Sequence, residues 1–331
     1  METEYYPEYY LGIDGGGTKT RAAVIDSAGL IFGAGQAGSA NRNHYTADQA
    51  RENLREAILS ACRRLPQQAR LSAVYCAMSG VSTDSDRQEV LDLIRSIPEI
   101  RPETCVAVDN DAVAGLTGGL AGCPGLVLIA GTGSACLGID GNGAKRWCGG
   151  WGALADDAGS APWVGLRAIQ TAVRAEDGRA EPTALLKIVL DYLGLSEPRQ
   201  LIHRIHNQGF ERAEMGGLAP AVAAAAQNGD AAASAILNEA AAELSGLASV
   251  VARHLFGTDT CEMILVGGLA RSGPPFQTLL MDRLHRDVPQ LKVVEPVLTP
   301  VQGAVLEALR LGGRPWTEQI LNTLAVSELE K

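Results

Sequence analysis

The sequence predicts an α/β protein built from two similar halves. The first observation is a pattern near the start of the chain: a strand, a glycine-rich turn, a strand, a second turn and a third strand. The second observation is that this pattern recurs after a shift from Gly17 to Gly131, which also places Ile139–Gly143 on Ile25–Gly29. Both copies carry a Gly-Thr pair followed by a hydroxyl residue, so we expect a duplicated unit with the two turns facing one ligand.

The elements follow from hydrophobic patterning and turn residues. Strands are predicted at 9–13, 21–25, 30–35, 72–78, 105–108 and 263–266, and in the second copy around its glycine turn. Helices are predicted at 47–65 and 86–97, from Ala112 onward, and at 301–311. The region 183–256 reads as helical, and its alanine-rich part is split at Asn228–Asp230.

Composition and charge exclude several classes of protein. The chain has 331 residues, 28 Lys and Arg against 38 Asp and Glu, and a net charge of −10, which argues against a nucleic acid or an anionic membrane as partner. Its N-terminus has no basic segment followed by an apolar run, so no secretory signal is expected. The uncharged stretch 112–139 holds eight glycines and Pro124, which disfavours a membrane span. Seven scattered cysteines without a Cys-x-x-Cys pair are typical of reduced thiols in a cytoplasmic protein.

Glycine-rich turns are candidate phosphate-binding sites. Gly15–Thr20 and Gly131–Ser134 let backbone N–H groups approach an anion, and their hydroxyls add donors. Neither turn opens a helix, so the P-loop and the dinucleotide-binding fingerprint are excluded. Gly267 and Gly268 follow a buried strand and leave room for a nucleoside. Any one of these runs alone is explained by a tight turn, but the three together indicate a nucleotide.

Two carboxylates at strand ends are candidates for the chemistry. Asp14 suits Mg²⁺ beside phosphates, although it is also placed to cap a turn. Asp111 suits a general base that accepts a hydroxyl proton during phosphoryl transfer. Asp109, two residues earlier, shares its face of an extended strand, and either residue could instead be a helix N-cap.

A tryptophan-rich segment is a candidate carbohydrate site. Trp147, Trp151 and Trp163 surround a glycine pair and the adjacent Asp156 and Asp157, which favours sugar stacking and core packing equally. Adjacent carboxylates rarely reach opposite faces of one bond, so a glycosidase pair is disfavoured. His203 and His206 lack a third ligand and are interpreted as surface or packing residues.

These motifs together resemble the N-acetylglucosamine and glucosamine kinases, which belong to the wider family of benzoyl-CoA reductase and 2-hydroxyglutaryl-CoA dehydratase activator ATPases. The motifs, in order, are Asp14–Thr20, Asn110–Ala112, Gly131–Ser134, Gly149–Gly152 and Val266–Leu269, and the resemblance spans Tyr9 to about Leu311. It implies two ribonuclease-H-like (actin-like ATPase) domains with a nucleotide cleft between them. The expected domains are 1–112, joined by a C-terminal helix at about 304–325, and 113–303 with a helical insertion.

The resemblance also implies roles for individual residues. Asp111 matches the catalytic base and Asp14 the metal carboxylate. Phosphate binding is implied for Gly16, Gly17, Thr18, Lys19, Gly131, Thr132 and Gly133, and adenosine binding for Gly267 and Gly268. Sugar binding is implied for Asn41, Ser79, Gly80, Asp111, Ser134, Gly150, Trp151 and Asp157.

One motif departs from the family pattern. The family's Gly-Asp-Glu-Gly-Ser reads Asp156-Asp157-Ala158-Gly159-Ser160 here, which keeps the aspartate of the sugar contact but adds one carboxylate and removes another. The extra negative charge at Asp156 predicts a preference for glucosamine over its N-acetyl form.

The expected function is therefore that of an ATP-dependent hexosamine kinase. It would transfer the γ-phosphate to the 6-hydroxyl of N-acetylglucosamine or glucosamine with Mg²⁺, as a cytoplasmic homodimer without nucleic-acid or membrane partners. Two alternatives remain: an ATPase that activates a dehydratase or reductase by electron transfer, and a non-catalytic sugar sensor. The scattered cysteines disfavour the first, and the retained base and phosphate turns disfavour the second.

Overall fold

The computed structural model describes residues 7–42, 44–66, 68–207 and 209–327. They form two compact units, one made of residues up to 123 together with those from 295 onward, the other of residues 124–294. The strands are β1 (Glu8–Gly15), β2 (Lys19–Asp26), β3 (Ile31–Gly38), β4 (Arg70–Met78), β5 (Cys105–Asn110), β6 (Gly125–Ala130), β7 (Ser134–Ile139), β8 (Lys145–Gly149), β9 (Cys261–Val266) and β10 (Leu291–Val293). The helices are α1 (Ala47–Cys62), α2 (Asp84–Arg95), α3 (Asp111–Gly119), α4 (Ala161–Glu176), α5 (Leu185–Leu193), α6 (Gln200–Asn207), α7 (Arg212–Gly216), α8 (Ala219–Gln227), α9 (Ala231–Phe256), α10 (Phe276–Asp287), α11 (Pro300–Leu311) and α12 (Glu318–Val326).

The first unit is a mixed five-stranded sheet in the order β3-β2-β1-β4-β5. The β1–β2 and β2–β3 pairs are antiparallel, whereas β4 lies parallel to β1 and β5 parallel to β4. A hydrophobic cluster formed with α1 includes Leu11, Leu54 and Val74. Helix α11 packs on β1, β4 and α3. The carboxyl ends of β1, β4 and β5 therefore meet at one edge of this sheet.

The second unit repeats this arrangement in the order β10-β9-β6-β7-β8. Its first hairpin, β6–β7, is antiparallel, as is β7–β8, while β9 lies parallel to β6 and β10 parallel to β9. The two sheets thus share strand order and direction, which confirms the α/β duplication. The glycine-rich turn between β6 and β7 is one residue shorter than the turn between β1 and β2, since Ala130 pairs with Ser134 whereas Gly15 pairs with Thr20.

The helices of the second unit differ from those of the first. Helices α5 to α9 cover the region 183–256 that was predicted to be helical, whereas α4 lies before it and was not predicted. Helices α8 and α9 divide at the predicted break, where Asp230 caps α9 by accepting the Ala233 N–H. By length and composition α9 would reach across a bilayer, but half of its most apolar window is buried within the described protein. It packs on β6, β7 and β8, which is the behaviour of a core helix.

Several boundaries differ from the sequence-based ones. Helix α1 ends at Cys62 rather than at residue 65, and α2 begins at Asp84 because Thr83 and Asp86 form a capping box. Strands β1 to β5 run one to three residues beyond the predicted limits at one or both ends. The compact units divide at 123/124 and 294/295, whereas the predicted domains divide at 112/113 and 303/304, because α3 and the start of α11 pack with the first sheet.

Candidate active site

Parallel pairing gathers polar side chains at the carboxyl edge of the first sheet. Asp14 of β1 is level with Ala77 of β4, which is level with Asp109 of β5. Beyond the strands, the Ser79 N–H donates to the Gly15 carbonyl at 2.8 Å. The sequence therefore folds so that Asp14 and the residues that follow β4 and β5 share one edge.

The turn after β1 is hydrogen-bonded at its base and exposed to solvent at its tip. The Gly16 N–H donates to the Lys19 carbonyl at 2.9 Å, and the Ser39 hydroxyl donates to the Gly16 carbonyl at 2.9 Å. Gly17, Thr18 and Lys19 are exposed, and a Cβ on Gly17 would have no neighbour within 4 Å. This turn can present its backbone and the Thr18 hydroxyl to an anion, as expected for a phosphate-binding turn.

Asn41 and Ser79, both predicted to bind the sugar, lie in direct contact. The Asn41 side-chain amide donates to the Ser79 hydroxyl at 3.0 Å, and the Asn41 N–H donates to the Ser39 hydroxyl at 3.2 Å. Asn41 is buried, while Ser79 is half-buried and is followed by Gly80 at a φ of 86°. Ser39 thus supports both this pair and the turn after β1.

Asn110 is the residue that caps α3. Its side-chain oxygen accepts the Ala112 N–H at 3.0 Å, and its amide donates to the Val81 carbonyl at 2.9 Å. The alternative interpretation of Asp109 or Asp111 as the helix cap is therefore wrong, since the Asn110 side chain between them has that role. Asp109 accepts the Asn110 N–H at 2.8 Å and lies 3.5 Å from Arg87, whereas Asp111 begins the helix without capping it.

The electrostatics of the edge are unfavourable for two ionised carboxylates. Burial and then the charge of Asp111 raise the pKa of Asp14 to about 6, against the weaker opposing effects of Arg21 and Lys19. Burial also raises the pKa of Asp111, and the backbone N–H groups of Ala112 and of Asp111 itself oppose that rise. Paired carboxylates in such a site are stabilised by a cation.

Asp14 fits a metal-binding role better than a turn-capping one. It lies inside β1, paired with Arg21 across the hairpin, and within the described residues its carboxylate accepts no hydrogen bond from the turn. Those residues contain no group of three or more metal ligands. A Mg²⁺ ion that arrives with a nucleotide needs only one or two protein carboxylates, since phosphates and water complete its shell, so Asp14 with Asp111 nearby is a suitable donor set.

The turn after β6 approaches the end of β9 very closely. The Gly131 N–H donates to the Gly133 carbonyl at 3.0 Å, and the Ala130 carbonyl accepts the N–H groups of Leu269 and Ala270 at 3.1 Å each. Gly267 has a φ of 103°, and a Cβ there would lie 2.4 Å from the Ala130 oxygen. Only glycine fits this position, so the two glycine motifs of the second unit are brought together by backbone contact.

Ser134 and Asp157, predicted to touch the sugar, are buried and already hydrogen-bonded. The Ser134 hydroxyl donates to the Ala158 carbonyl at 2.7 Å, and its N–H approaches the Asp157 carboxylate at 3.4 Å. The other Asp157 oxygen accepts from Arg212 at 2.5 Å. Sequence reasoning missed Arg212, because it lies in the helical region far from every motif and only the fold brings it to the turn.

The tryptophans divide between the two interpretations. Trp163 is half-buried against the core, with the Arg167 guanidinium 5.5 Å from its ring, as core packing predicts. Trp151 is 79% exposed and Trp147 is 38% exposed, so neither is a core residue. The Gly150 N–H beside Trp151 donates to the Ser134 carbonyl at 2.9 Å. An exposed indole held beside a fixed backbone is suited to stacking against a ligand.

The remaining candidates lie outside these clusters. His203 and His206 are exposed on α6, as the interpretation as surface residues requires. Asp156 is half-buried, and its N–H donates to the Gly152 carbonyl at 2.8 Å. The charge preference inferred from Asp156 stays a prediction.

The duplicated sheets, each with a glycine-rich turn after its first strand, define a two-domain α/β fold of the actin-like sugar-kinase type. The chain belongs to the BadF/BadG/BcrA/BcrD ATPase family, whose model matches residues 11–308. The family predicted from the motifs is thereby confirmed.

Relatives within this fold carry kinase names. An N-acetylmuramic acid/N-acetylglucosamine kinase of Clostridium acetobutylicum is 33% identical over 238 residues, which is 72% of this chain and 77% of the relative. An N-acetyl-D-glucosamine kinase of Dictyostelium discoideum is 28% identical over 319 residues, 91% of this chain and 98% of the relative. The solved structure of a Chromobacterium violaceum protein, proposed to be an N-acetylglucosamine kinase, matches with a TM-score of 0.69 and 27% identity over 92% of this chain and 99% of that one.

Proposed function

We propose that this protein is an ATP-dependent hexosamine kinase that transfers the γ-phosphate to the 6-hydroxyl of N-acetylglucosamine or glucosamine. The observation that supports the proposal is Asp111, a carboxylate that does not cap α3 because Asn110 does and whose charge acts on Asp14, at the end of β1. The names of the relatives support the same substrate class.

Asp111 would act as the general base. Burial raises the pKa of Asp111, which makes its carboxylate a stronger proton acceptor than that of an ordinary aspartate. Its place at the start of α3 puts it at the positive end of a helix dipole, which favours the ionised form. The sugar hydroxyl would lose its proton to this carboxylate as the oxygen attacks the phosphorus.

The phosphates would be bound by backbone and hydroxyl donors. We assign phosphate binding to Gly16, Gly17, Thr18, Lys19, Gly131, Thr132 and Gly133, and adenosine binding to Gly267 and Gly268. Asp14 would hold Mg²⁺, which would supply positive charge to the phosphates. Asp14 would hold the ion as an ionised carboxylate, which burial alone disfavours.

The sugar would be recognised by hydrogen bonds and one aromatic face. Asn41, Ser79 and Gly80 would contact its hydroxyls, and Trp151, with Gly150 beside it, would offer the aromatic face. Ser134 and Asp157 would also contact the sugar, because the Ser134 hydroxyl, while it donates to the Ala158 carbonyl, can still accept a hydrogen bond from a sugar hydroxyl. The added charge at Asp156 would favour glucosamine.

We also propose that the enzyme is cytoplasmic and forms a homodimer. A net charge of −10 and unpaired cysteines in the described residues are suited to a cytoplasmic enzyme of small metabolites. The homodimer rests on the family resemblance.

The test is ADP release from Mg²⁺-ATP with N-acetylglucosamine, glucosamine, N-acetylmuramic acid, N-acetylmannosamine and glucose. Asp111→Asn should lower the sugar-dependent rate by a factor of about 10² to 10⁴, the usual contribution of a general base. Asp109→Asn is the matched control, because it changes a carboxylate two residues away that pairs with Arg87, and it should retain most activity. ATP hydrolysis that no sugar stimulates would refute the kinase and favour the activator ATPase.

A further inference from the structure

Arg212 joins two segments of the second unit that the motifs treat separately. Its terminal nitrogen donates to the Thr132 carbonyl at 2.5 Å, in the turn after β6, and to the Asp157 carboxylate at 2.5 Å. Asp157 is only 4% exposed and has a φ of 58°, unusual for a residue other than glycine. One guanidinium group therefore holds both the turn and a strained, buried carboxylate.

The helical region fixes Arg212 in this position. Helix α7, which begins with Arg212, packs against α4 so closely that a Cβ on Gly165 would lie 2.0 Å from the Met215 carbonyl oxygen. Glu214 of α7 forms an ion pair with Arg204, and its carbonyl accepts the Tyr192 hydroxyl at 3.0 Å. These contacts hold α7 from three sides.

The positive charge of Arg212 explains why its position beside Asp157 matters for phosphate binding. A Cβ on Gly133 would lie 3.2 Å from an Asp157 carboxylate oxygen, so Asp157 lies directly against the turn proposed to bind phosphate. A buried carboxylate there would repel a polyphosphate, because such repulsion is poorly screened away from water. The Arg212 guanidinium cancels that charge and, through Thr132, fixes the backbone of the turn.

We propose that Arg212 is a positioning residue for nucleotide binding: it neutralises Asp157 and holds the turn Gly131–Gly133 in the form that accepts a nucleotide polyphosphate. This inference rests on the proposed function, since it assumes that the turn binds ATP. It assigns a role to a residue outside every sequence motif.

Calorimetric titration of the full chain with Mg²⁺ and adenylyl imidodiphosphate tests the inference without relying on turnover. Arg212→Gln should weaken binding by about tenfold or more, since it leaves the Asp157 charge unpaired against the turn. Adding Asp157→Asn to Arg212→Gln should recover most of the affinity, because the repelling charge is then absent. Arg179→Gln, which breaks an exposed pair with Asp177 in the same unit, is the matched control and should bind as the parent does.

The outcomes separate the two proposals. If the parent chain binds no nucleotide, the proposed function fails. If the parent binds and Arg212→Gln binds equally well, or if the double variant binds no better than Arg212→Gln, the inference is overturned. Should Arg212→Gln fail to fold, as its circular dichroism would reveal, Arg212→Lys replaces it. A lysine is shorter than arginine and lacks the planar guanidinium that reaches both Thr132 and Asp157, so weaker nucleotide binding than in the parent supports the inference, and an unchanged affinity overturns it.

Discussion

Replacing Asp14 by Asn should stabilise the protein at neutral pH while it abolishes kinase activity. The pKa of Asp14 is about 6, against an ordinary value of 3.8, mainly through burial and then through the charge of Asp111. A carboxyl whose pKa is raised by folding is protonated more readily in the folded chain than in the unfolded one. Its ionisation therefore reduces stability as pH rises from about 4 to 6, and the reduction is complete above pH 7.

The size of the effect follows from the two pKa values. The difference corresponds to about 3 kcal/mol at pH 7.5 and to about half of that at pH 5. Because Asp14 retains some contact with solvent, the realistic gain at pH 7.5 is about 1 to 2 kcal/mol. For a domain of this size that gain raises the melting temperature by about 2 to 8 °C.

The assay is thermal unfolding of the parent and of Asp14→Asn at pH 5 and pH 7.5, in the absence of metal. Asn keeps the shape of the side chain, so the difference between the two pH values isolates the charge. The expected result is a larger gain at pH 7.5 than at pH 5. A loss of stability of similar size at both values would refute the reasoning and restore the interpretation of Asp14 as a turn-capping residue.

Two further substitutions test other parts of the site. Gly267→Ala should destabilise the protein by about 2 to 4 kcal/mol, because its Cβ would lie 2.4 Å from the Ala130 oxygen at a left-handed φ. Gly268→Ala is the control: a Cβ there has no neighbour within 4 Å, so the melting temperature should stay unchanged. Equal effects of the two substitutions would contradict the close approach of Gly267 to Ala130. Trp151→Ala should change the free energy of unfolding by less than about 0.5 kcal/mol, because the side chain is 79% exposed, yet raise the KM for the sugar about tenfold by loss of stacking. Steady-state kinetics and a denaturant titration check this, and an unchanged KM would remove Trp151 from the proposed site.

Local rules were sufficient to predict most of the architecture. The Ile-Asp turns and the glycine-hydroxyl turns recur at matched spacing, and each favours a hairpin by its own backbone, so the duplicated three-stranded unit could be predicted without knowledge of long-range contacts. The break between α8 and α9 was predicted for the same reason, since Asn228–Asp230 ends one helix and caps the next.

Contacts between residues far apart in the sequence account for two features that sequence patterns did not predict, the cap of α3 and the position of Arg212. The sequence left Asp109 and Asp111 as candidate caps of α3, whereas the cap is Asn110, whose amide also donates to the Val81 carbonyl in the loop after β4. Arg212 reaches Thr132 only because α7 packs closely on α4. Neither contact has a signature at short sequence separation, so pattern reasoning could not find it.

Three of the residues proposed to bind ligands or to shape the ligand site have a conformation or an environment that is unusual for a protein interior. Asp14 holds a carboxylate where burial raises its pKa, Asp157 adopts a left-handed conformation in a buried position, and Gly267 admits a backbone contact that excludes any side chain. The features at Asp157 and Gly267 restrict substitution, and the raised pKa of Asp14 lowers stability at neutral pH. All three would be compensated by the proposed ligands, since a cation offsets the charge of Asp14 and a bound nucleotide uses the turn that Asp157 and Gly267 shape. Stability that increases with Mg²⁺-nucleotide in the parent, and increases less in Asp14→Asn, is the result this argument requires.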